Sequence, residues 1–245
     1  MAGPQARATV AGVRERLARQ PHEIRRMFAG VAGRYDLLNR VLSLRRDVRW
    51  RRRLVAALAG APPGAVLDLG TGTGDVAFAA AGREVIGVDF CLDMLALARA
   101  KAARRGRRLP LAAADALQLP FRDGAFAAAT AAFVVRNFAD LDRGLDEICR
   151  LLRPAGVVAI LELQRPPGRA AALAGAAWSR CVVTPLGRLL SHDGAAYAYL
   201  PASVSTFPDG RGLAARLAAR GFAGARSEDL TRGVAALTTA RWEGR

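Results

Sequence analysis

One segment constrains this chain more than any other: Asp68-Leu-Gly70-Thr-Gly72-Thr-Gly74-Asp75, set between an apolar run, Ala65–Leu69, and a helix-like stretch, Asp75–Ala81. Glycines at alternate positions let the backbone take positive φ and let a ligand approach closely. The helix that follows opens on unpaired N–H groups. A strand, a glycine turn and a helix in this order begin a βαβ unit, and open sheets built from such units bind ligands at the carboxyl ends of their strands. The alternation continues: strand at Glu84–Asp89, helix at Leu92–Arg105, weak strand at Leu109–Ala113, and an alanine-rich strand at Ala125–Val134. A helix over Leu141–Leu152 stops before Pro154 and Gly156, and a fifth strand covers Val157–Leu163. Gly221–Leu230 and Val234–Trp242, joined at Thr231-Arg-Gly233, read as two closing strands. The pattern predicts an α/β fold: a Rossmann-like, doubly wound, mostly parallel sheet with a closing antiparallel strand.

Ahead of this core the pattern is helical. Ile24, Met27, Phe28 and Val31 fall at i, i+3, i+4, i+7, with Pro21 as a start signal. Val10, Val13 and Leu17 make a weaker stripe, and Tyr35–Leu44 and Asp47–Ala59 continue the helical reading. Pro62-Pro63-Gly64 ends the region. The expected organisation is an N-terminal helical cap over 1–60 and a catalytic domain over 61–245, with a helical insertion at about 166–208. No internal repeat is visible.

The glycine turn admits two nucleotide-type ligands. A dinucleotide fingerprint requires glycine three residues after Gly72, where this chain has Asp75. The spacing acid-x-Gly-x-Gly-x-Gly is met in full by Asp68, Gly70, Gly72 and Gly74; it is the loop of class I methyltransferases that use S-adenosylmethionine. An acid beside the loop repels pyrophosphate and suits a ligand carrying an ammonium and a sulfonium. Asp89, at the end of the second strand, is placed to accept hydrogen bonds from vicinal ribose hydroxyls, a role shared by both ligand types. Asp115, after the third strand, is placed to meet an adenine amino group. Any one of these acids alone reads as a turn or helix-cap residue; three at successive strand ends beside the glycine loop make a site.

The chain has 245 residues and a net charge of +16. Of its 37 basic residues, 36 are Arg and only Lys101 is Lys, which fits a GC-rich coding sequence. Residues 1–53 hold 14 Arg and 4 acids. Nucleic acid, an anionic lipid surface and an acidic ligand are all admissible partners of such a segment. No apolar run reaches the ~18–20 residues needed to cross a bilayer. No secretory leader is apparent, so a cytoplasmic protein is expected. Cys91, Cys149 and Cys181 stand far apart and form no CxxC pair, and His22 and His192 are the only histidines, so no metal site is expected.

Over about Ile24 to Trp242 the chain resembles the demethylmenaquinone and ubiquinone-pathway C-methyltransferases. The residues that carry the resemblance are Met27-Phe28, Arg34-Tyr-Asp-Leu-Leu-Asn39, Ser43, Trp50-Arg51-Arg52, Leu119-Pro-Phe121 and Arg136-Asn137. They continue with Leu151-Leu-Arg-Pro154, Leu161-Glu162, Asp193, Tyr197, Tyr199-Leu200, Ser203, Phe207-Pro208, Leu230-Thr231 and Gly233-Val234-Ala235. The resemblance implies methyl transfer from S-adenosylmethionine to a ring carbon of a prenylated quinol, with demethylmenaquinol as first choice and the ubiquinone-pathway benzoquinol as the alternative. By position it implies Thr73, Asp89 and Asp115–Ala116 as donor contacts beside Asp68, Gly70 and Gly72. Three positions depart from the family. Where it often has Ser-Phe-Gly, this chain has Ala132-Phe133-Val134, and Arg45 and Arg232 stand where it often has Gly.

The chemistry requires a ring held near ~3–3.5 Å from the methyl group and stabilised phenolate charge. Arg136 is the candidate for oxyanion stabilisation or for polarising a water, and Asn137 for orienting the ring; a surface Arg capping a helix is the plain alternative. His192 beside Asp193 is a weaker base. Tyr35, Asp36, Asp193, Tyr197 and Tyr199 are candidate pocket residues, with packing of the cap as the alternative role. An RNA methyltransferase would need an Asn/Asp-Pro-Pro-aromatic motif after the fourth strand, which is missing, so no nucleic-acid partner is expected. A non-catalytic protein of the same fold finds support only in Ala132 and Val134. The basic segment, with Arg45, Arg46, Arg49 and Arg51–Arg53, is expected to rest on the inner face of an anionic membrane; a solvated helix face is the alternative. A homodimer is left open.

Overall fold

The computed structural model describes residues 35–80, 82–168 and 203–244. Seven strands form one sheet: β1 (Val66–Leu69), β2 (Val85–Asp89), β3 (Leu111–Ala113), β4 (Phe126–Ala132), β5 (Leu152–Leu163), β6 (Phe222–Leu230) and β7 (Ala235–Trp242). Their spatial order is β3-β2-β1-β4-β5-β7-β6. β1 to β5 pair in parallel, and β7 runs antiparallel between β5 and β6. The expected doubly wound sheet with one antiparallel strand is thus the observed architecture. Chain direction across the sheet reverses between β1 and β4, and such a switch point opens a crevice at the strand carboxyl ends.

The described helices are α1 (Tyr35–Leu42), α2 (Arg46–Ala56), α3 (Asp75–Ala79), α4 (Leu92–Arg104), α5 (Leu141–Leu151) and α6 (Gly210–Ala219). Alternation along β1 divides the core. Leu67 and Leu69 face α5 and α6 in a cluster with Leu145, Ile148, Leu151, Leu213 and Leu217. Val66 faces the other way, into a cluster with Trp50, Leu54 and Leu58 of the α2 region and with Val157, Ala159 and Leu161 of β5. The buried residues of α2 are Asp47, Trp50, Arg51 and Leu54, an i, i+3, i+4, i+7 stripe that contains an ion pair. Burying the large apolar members of this stripe contributes about 1.5–3 kcal/mol each.

Several boundaries differ from the sequence reading. The helix after β1 ends at Ala79, and the expected helix over Asp47–Ala59 gives way to a 3-10 turn at Ala57–Gly60. β4 ends at Ala132 because Phe133 takes φ 60, and a 3-10 turn over Val135–Asn137 follows. β5 begins five residues earlier than expected, at Leu152, and absorbs Pro154 through a register shift in which Ala155 adopts φ 64. The helical stripes before Tyr35 and most of the expected insertion at 166–208 lie outside the described residues. No described helix is long and apolar enough to cross a membrane.

Candidate active site

The glycine loop lies over the carboxyl end of β1. Gly70 has φ 59, and a Cβ there would stand 2.3 Å from Val134 Cγ2, so only glycine fits beneath the turn that follows β4. Gly72, with φ 53, is the opposite case: an added Cβ would meet nothing nearer than the Gly70 carbonyl oxygen at 4.0 Å. Here the backbone is bare, and a ligand can lie against it.

Asp68 is fully buried beneath this loop. Its carboxylate accepts from Thr71 Oγ1 at 2.7 Å and from Thr130 Oγ1 at 2.8 Å, Thr130 being its register partner on β4. Burial pushes its pKa up to about 6, against the two hydroxyl bonds and the nearby Arg51 charge. Asp68 therefore braces the loop from below. Asp89 closes it from the side, for its Oδ2 accepts from the Gly72 N–H at 2.8 Å and its Oδ1 from the Cys91 N–H at 2.9 Å. Burial raises its pKa, and the backbone N–H groups pull the other way. A carboxylate has about four acceptor positions, and the backbone N–H groups of Gly72, Cys91 and Phe90 take three of them, which leaves room for a hydroxyl.

The remaining predicted residues distribute around this centre. Asp115 is exposed after β3, turned back on the Leu117 N–H at 2.9 Å and bridged to Gln118, with half-buried Ala116 beside it. Arg136 follows β4 with its side chain largely buried; Nη1 donates to Glu162 Oε1 at 2.6 Å and to the Phe133 carbonyl at 2.7 Å. Glu162 also accepts from the Arg136 backbone N–H, which ties the carboxyl ends of β4 and β5. Asn137 ends the 3-10 turn, its N–H donating to the Val134 carbonyl at 2.8 Å. Tyr35 opens α1; Asp193, Tyr197 and Tyr199 lie outside the described residues.

Asp36 and Thr73 are joined directly. Thr73 Oγ1 donates to Asp36 Oδ1 at 2.6 Å, and Lys101 Nζ donates to Asp36 Oδ2 at 2.6 Å, Thr73 Oγ1 at 2.9 Å and Asp75 Oδ1 at 2.7 Å. Burial raises the Asp36 pKa, but Lys101, Thr73 and Arg40 outweigh it and the net shift is downward. Next to this network, buried Arg51 pairs with Asp47 and stands 3.7 Å from Asp75. The Arg51 guanidinium also lies 5.6 Å from the Phe133 ring centre, and Trp50 packs against the same ring. Helix α2 thereby props the turn that carries Val134 and Arg136.

Sequence reasoning missed Lys101, Asp75 and the Arg51–Asp47 pair as parts of the site. That Lys101 is the only lysine is plain in the sequence, but composition alone gives it no place in the site. Glu162 was visible as a family match without a role. Among the described residues no cluster of His, Cys, Asp and Glu could hold a metal.

The strand order, the glycine loop at the switch point and the acid at the end of β2 define a class I methyltransferase that uses S-adenosylmethionine. The chain belongs to the ubiE/COQ5 methyltransferase family, whose model matches residues 16–241. It is 49% identical over 215 residues to the demethylmenaquinone methyltransferase of Thermus thermophilus, covering 86% of this chain and 97% of that one. Its fold is similar to a possible histamine N-methyltransferase from Thermotoga maritima, with a TM-score of 0.62, 19% identity, and 88% and 98% of the two chains covered. It is also similar to the Haemonchus contortus phosphoethanolamine N-methyltransferase 2 in complex with S-adenosyl-L-methionine, with a TM-score of 0.54 and 21% identity, over 73% of this chain and 38% of that one.

Proposed function

We propose that the chain methylates a ring carbon of demethylmenaquinol. The observation that carries this reading is the glycine loop with Asp89 closed on Gly72, in a chain so similar over nearly its whole length to a demethylmenaquinone methyltransferase. Bound in the crevice, S-adenosylmethionine supplies an electrophilic methyl on a sulfonium. The residues that would hold it are Gly70, Gly72 and Thr73 of the loop, Asp89 for the ribose hydroxyls, and Asp115 and Ala116 for the adenine. The bare backbone of Gly72 and the remaining acceptor position of Asp89 fit that ligand.

The ring carbon becomes nucleophilic as a neighbouring hydroxyl loses its proton; a carbon–carbon bond then forms as the carbon–sulfur bond breaks, and the ring proton leaves. Arg136 places a positive charge at the carboxyl ends of β4 and β5, where phenolate charge develops, and Asn137 stands beside it to orient the ring. Glu162 fixes the guanidinium but also offsets its charge. Arg136 is therefore assigned a contribution to turnover of about 10–100-fold rather than the larger values of an uncompensated charge. Arg stays protonated and is not the base itself.

The lipid-dwelling substrate gives the basic segment a use. Val41 and Leu44 are exposed at the α1–α2 corner, flanked by exposed Arg45, Arg46, Arg49 and Arg52. Arg51 does not belong to this face, since it is buried against Asp47, and Arg53 pairs with Glu228 at 2.8 Å. The reduced patch is assigned to an anionic bilayer surface, at up to about 1 kcal/mol per Arg.

Purified protein given S-adenosylmethionine and demethylmenaquinol under reducing conditions is expected to yield the methylated quinol by mass spectrometry. Absence of transfer to this quinol, with transfer to the benzoquinol, would reverse the substrate order; absence with both would sink the reading. Arg136→Gln is expected to lower kcat while leaving donor affinity within about three-fold. Vesicle sedimentation tests the membrane patch, and equal binding to anionic and neutral vesicles would end its electrostatic version.

A further inference from the structure

Lys101 is one lysine among 37 basic residues, and it is buried in the last turn of α4. At every other basic position this chain uses Arg. The exception has a geometric reason. Its Nζ donates to three oxygens from three different segments: Asp36 on α1, Thr73 in the glycine loop, and Asp75 at the start of α3. An ammonium has three protons on one atom, and all three are used. A guanidinium spreads five donors over a plane and cannot converge them on three oxygens gathered around a point. Thr73 completes a closed ring, accepting from Lys101 and donating to Asp36.

Two carboxylates, Asp36 and Asp75, face one another across this ammonium, with Arg51 on the far side of Asp75. Without Lys101 they repel, and α1 loses its charged tie to the loop. The Thr73 hydroxyl is committed to this ring, so any donor contact by residue 73 is made in a rotamer that Lys101 and Asp36 dictate.

We propose that Lys101 is a positioning residue: it latches helix α1 onto the glycine loop through Asp36 and Thr73, so that binding of the methyl donor and docking of α1 strengthen each other. This rests on the donor site assigned above. Linkage of this kind is reciprocal, so a ligand that settles the loop also protects the latch.

The single lysine makes the latch directly observable. Apart from the α-amino group at the chain start, Lys101 is the only amine for an acylating reagent. Native protein is pulsed with acetic anhydride, with and without S-adenosylhomocysteine, and acetylation of the Lys101 peptide is read by mass spectrometry. S-adenosylhomocysteine is expected to slow labelling of Lys101 by about ten-fold or more, and Asp36→Asn to speed it in the free protein and weaken the protection. Trypsin cleavage after Arg40 and Arg45 is expected to accelerate in Asp36→Asn. Titration calorimetry of the same variant, at a temperature where it is fully folded, is expected to show about ten-fold weaker S-adenosylhomocysteine binding, which a merely structural role would not produce.

Lys101→Arg is the second variant. If it folds, its ligand affinity and trypsin rate are expected to follow Asp36→Asn; wild-type values for both would overturn the geometric argument. Labelling of Lys101 that responds neither to ligand nor to Asp36→Asn would overturn the latch. Failure of the wild-type protein to bind S-adenosylhomocysteine at all would instead strike the assigned donor site, and the effect of Asp36→Asn on labelling of the free protein would still decide whether the latch exists.

Discussion

Gly70 and Val134 form a pair whose energy can be divided. In Gly70→Ala the new methyl meets Val134 Cγ2 at 2.3 Å, Cβ at 2.6 Å and Cγ1 at 3.0 Å, on a residue whose φ is +59. Two penalties add: about 1–2 kcal/mol for an L-residue in the left-handed region and about 1–3 kcal/mol for overpacking. Reduced freedom of the unfolded chain returns about 0.4–1 kcal/mol. A net loss of about 1–4.5 kcal/mol follows. Val134→Gly removes all three clashing atoms, whereas Val134→Ala leaves the Cβ at 2.6 Å. In a cycle measured by urea unfolding, Gly70→Ala with Val134→Gly should recover the steric part alone, a coupling of about 1–3 kcal/mol. The pair with Val134→Ala should recover much less. Additivity within about 0.5 kcal/mol in the glycine cycle would refute the contact. A full return to wild-type stability would refute the backbone term.

Arg45 and Arg232, which stand where the family often has glycine, have φ 60 and φ 55. Replacing either by Gly relieves about 1–2 kcal/mol of backbone strain against about 0.5–1 kcal/mol of glycine entropy. Each should raise the melting midpoint by about 2 °C, and a fall would show that the arginine side chain outweighs its backbone. Asp89→Asn is expected to weaken S-adenosylhomocysteine binding about ten-fold, or about 1.4 kcal/mol, and an unchanged titration isotherm would remove Asp89 from the donor site. Asp68 has a folded pKa of about 6 against an ordinary 3.8, so its contribution is fully present below 3.8 and lost as pH rises through 6. The stability of Asp68→Asn relative to wild type should therefore improve between pH 4 and pH 6.5, by at most about 3 kcal/mol; a difference flat with pH in paired denaturation curves would contradict the buried carboxylate.

Much of the frame was legible because its determinants are local. The spacing of Asp68, Gly70, Gly72 and Gly74 fixes a turn that few sequences can make, and strand–helix alternation fixes a parallel sheet. The end of β4 was less legible, since alanine has little strand preference and the stop is set by Phe133, whose ring is held by Trp50 and Arg51 from α2. Pro154 and Gly156 read as breakers, yet β5 runs through them by a bulge that only its pairing with β4 reveals. The latch was illegible for a similar reason. Lys101 stands 65 residues from Asp36 and 28 from Thr73, and no periodicity links them. Arg136 was placed after β4 from sequence, but its binding to Glu162 needed the register of β4 on β5.

The position of β7 bears on how the molecule is made. Among the described strands it is the last in chain order, yet it lies inside the sheet, pairing Val157–Leu163 on one side and β6 on the other. Until residues 235–242 emerge, β5 carries an open, apolar edge, and β6 has no neighbour to join. The nascent chain therefore passes through a stage at which five of the seven strands are assembled and the β5 edge is exposed to other chains. Chains cut short before Ala235 should precipitate rather than fold with one strand fewer, and synthesis that slows in this stretch should lower the soluble yield without altering the finished enzyme.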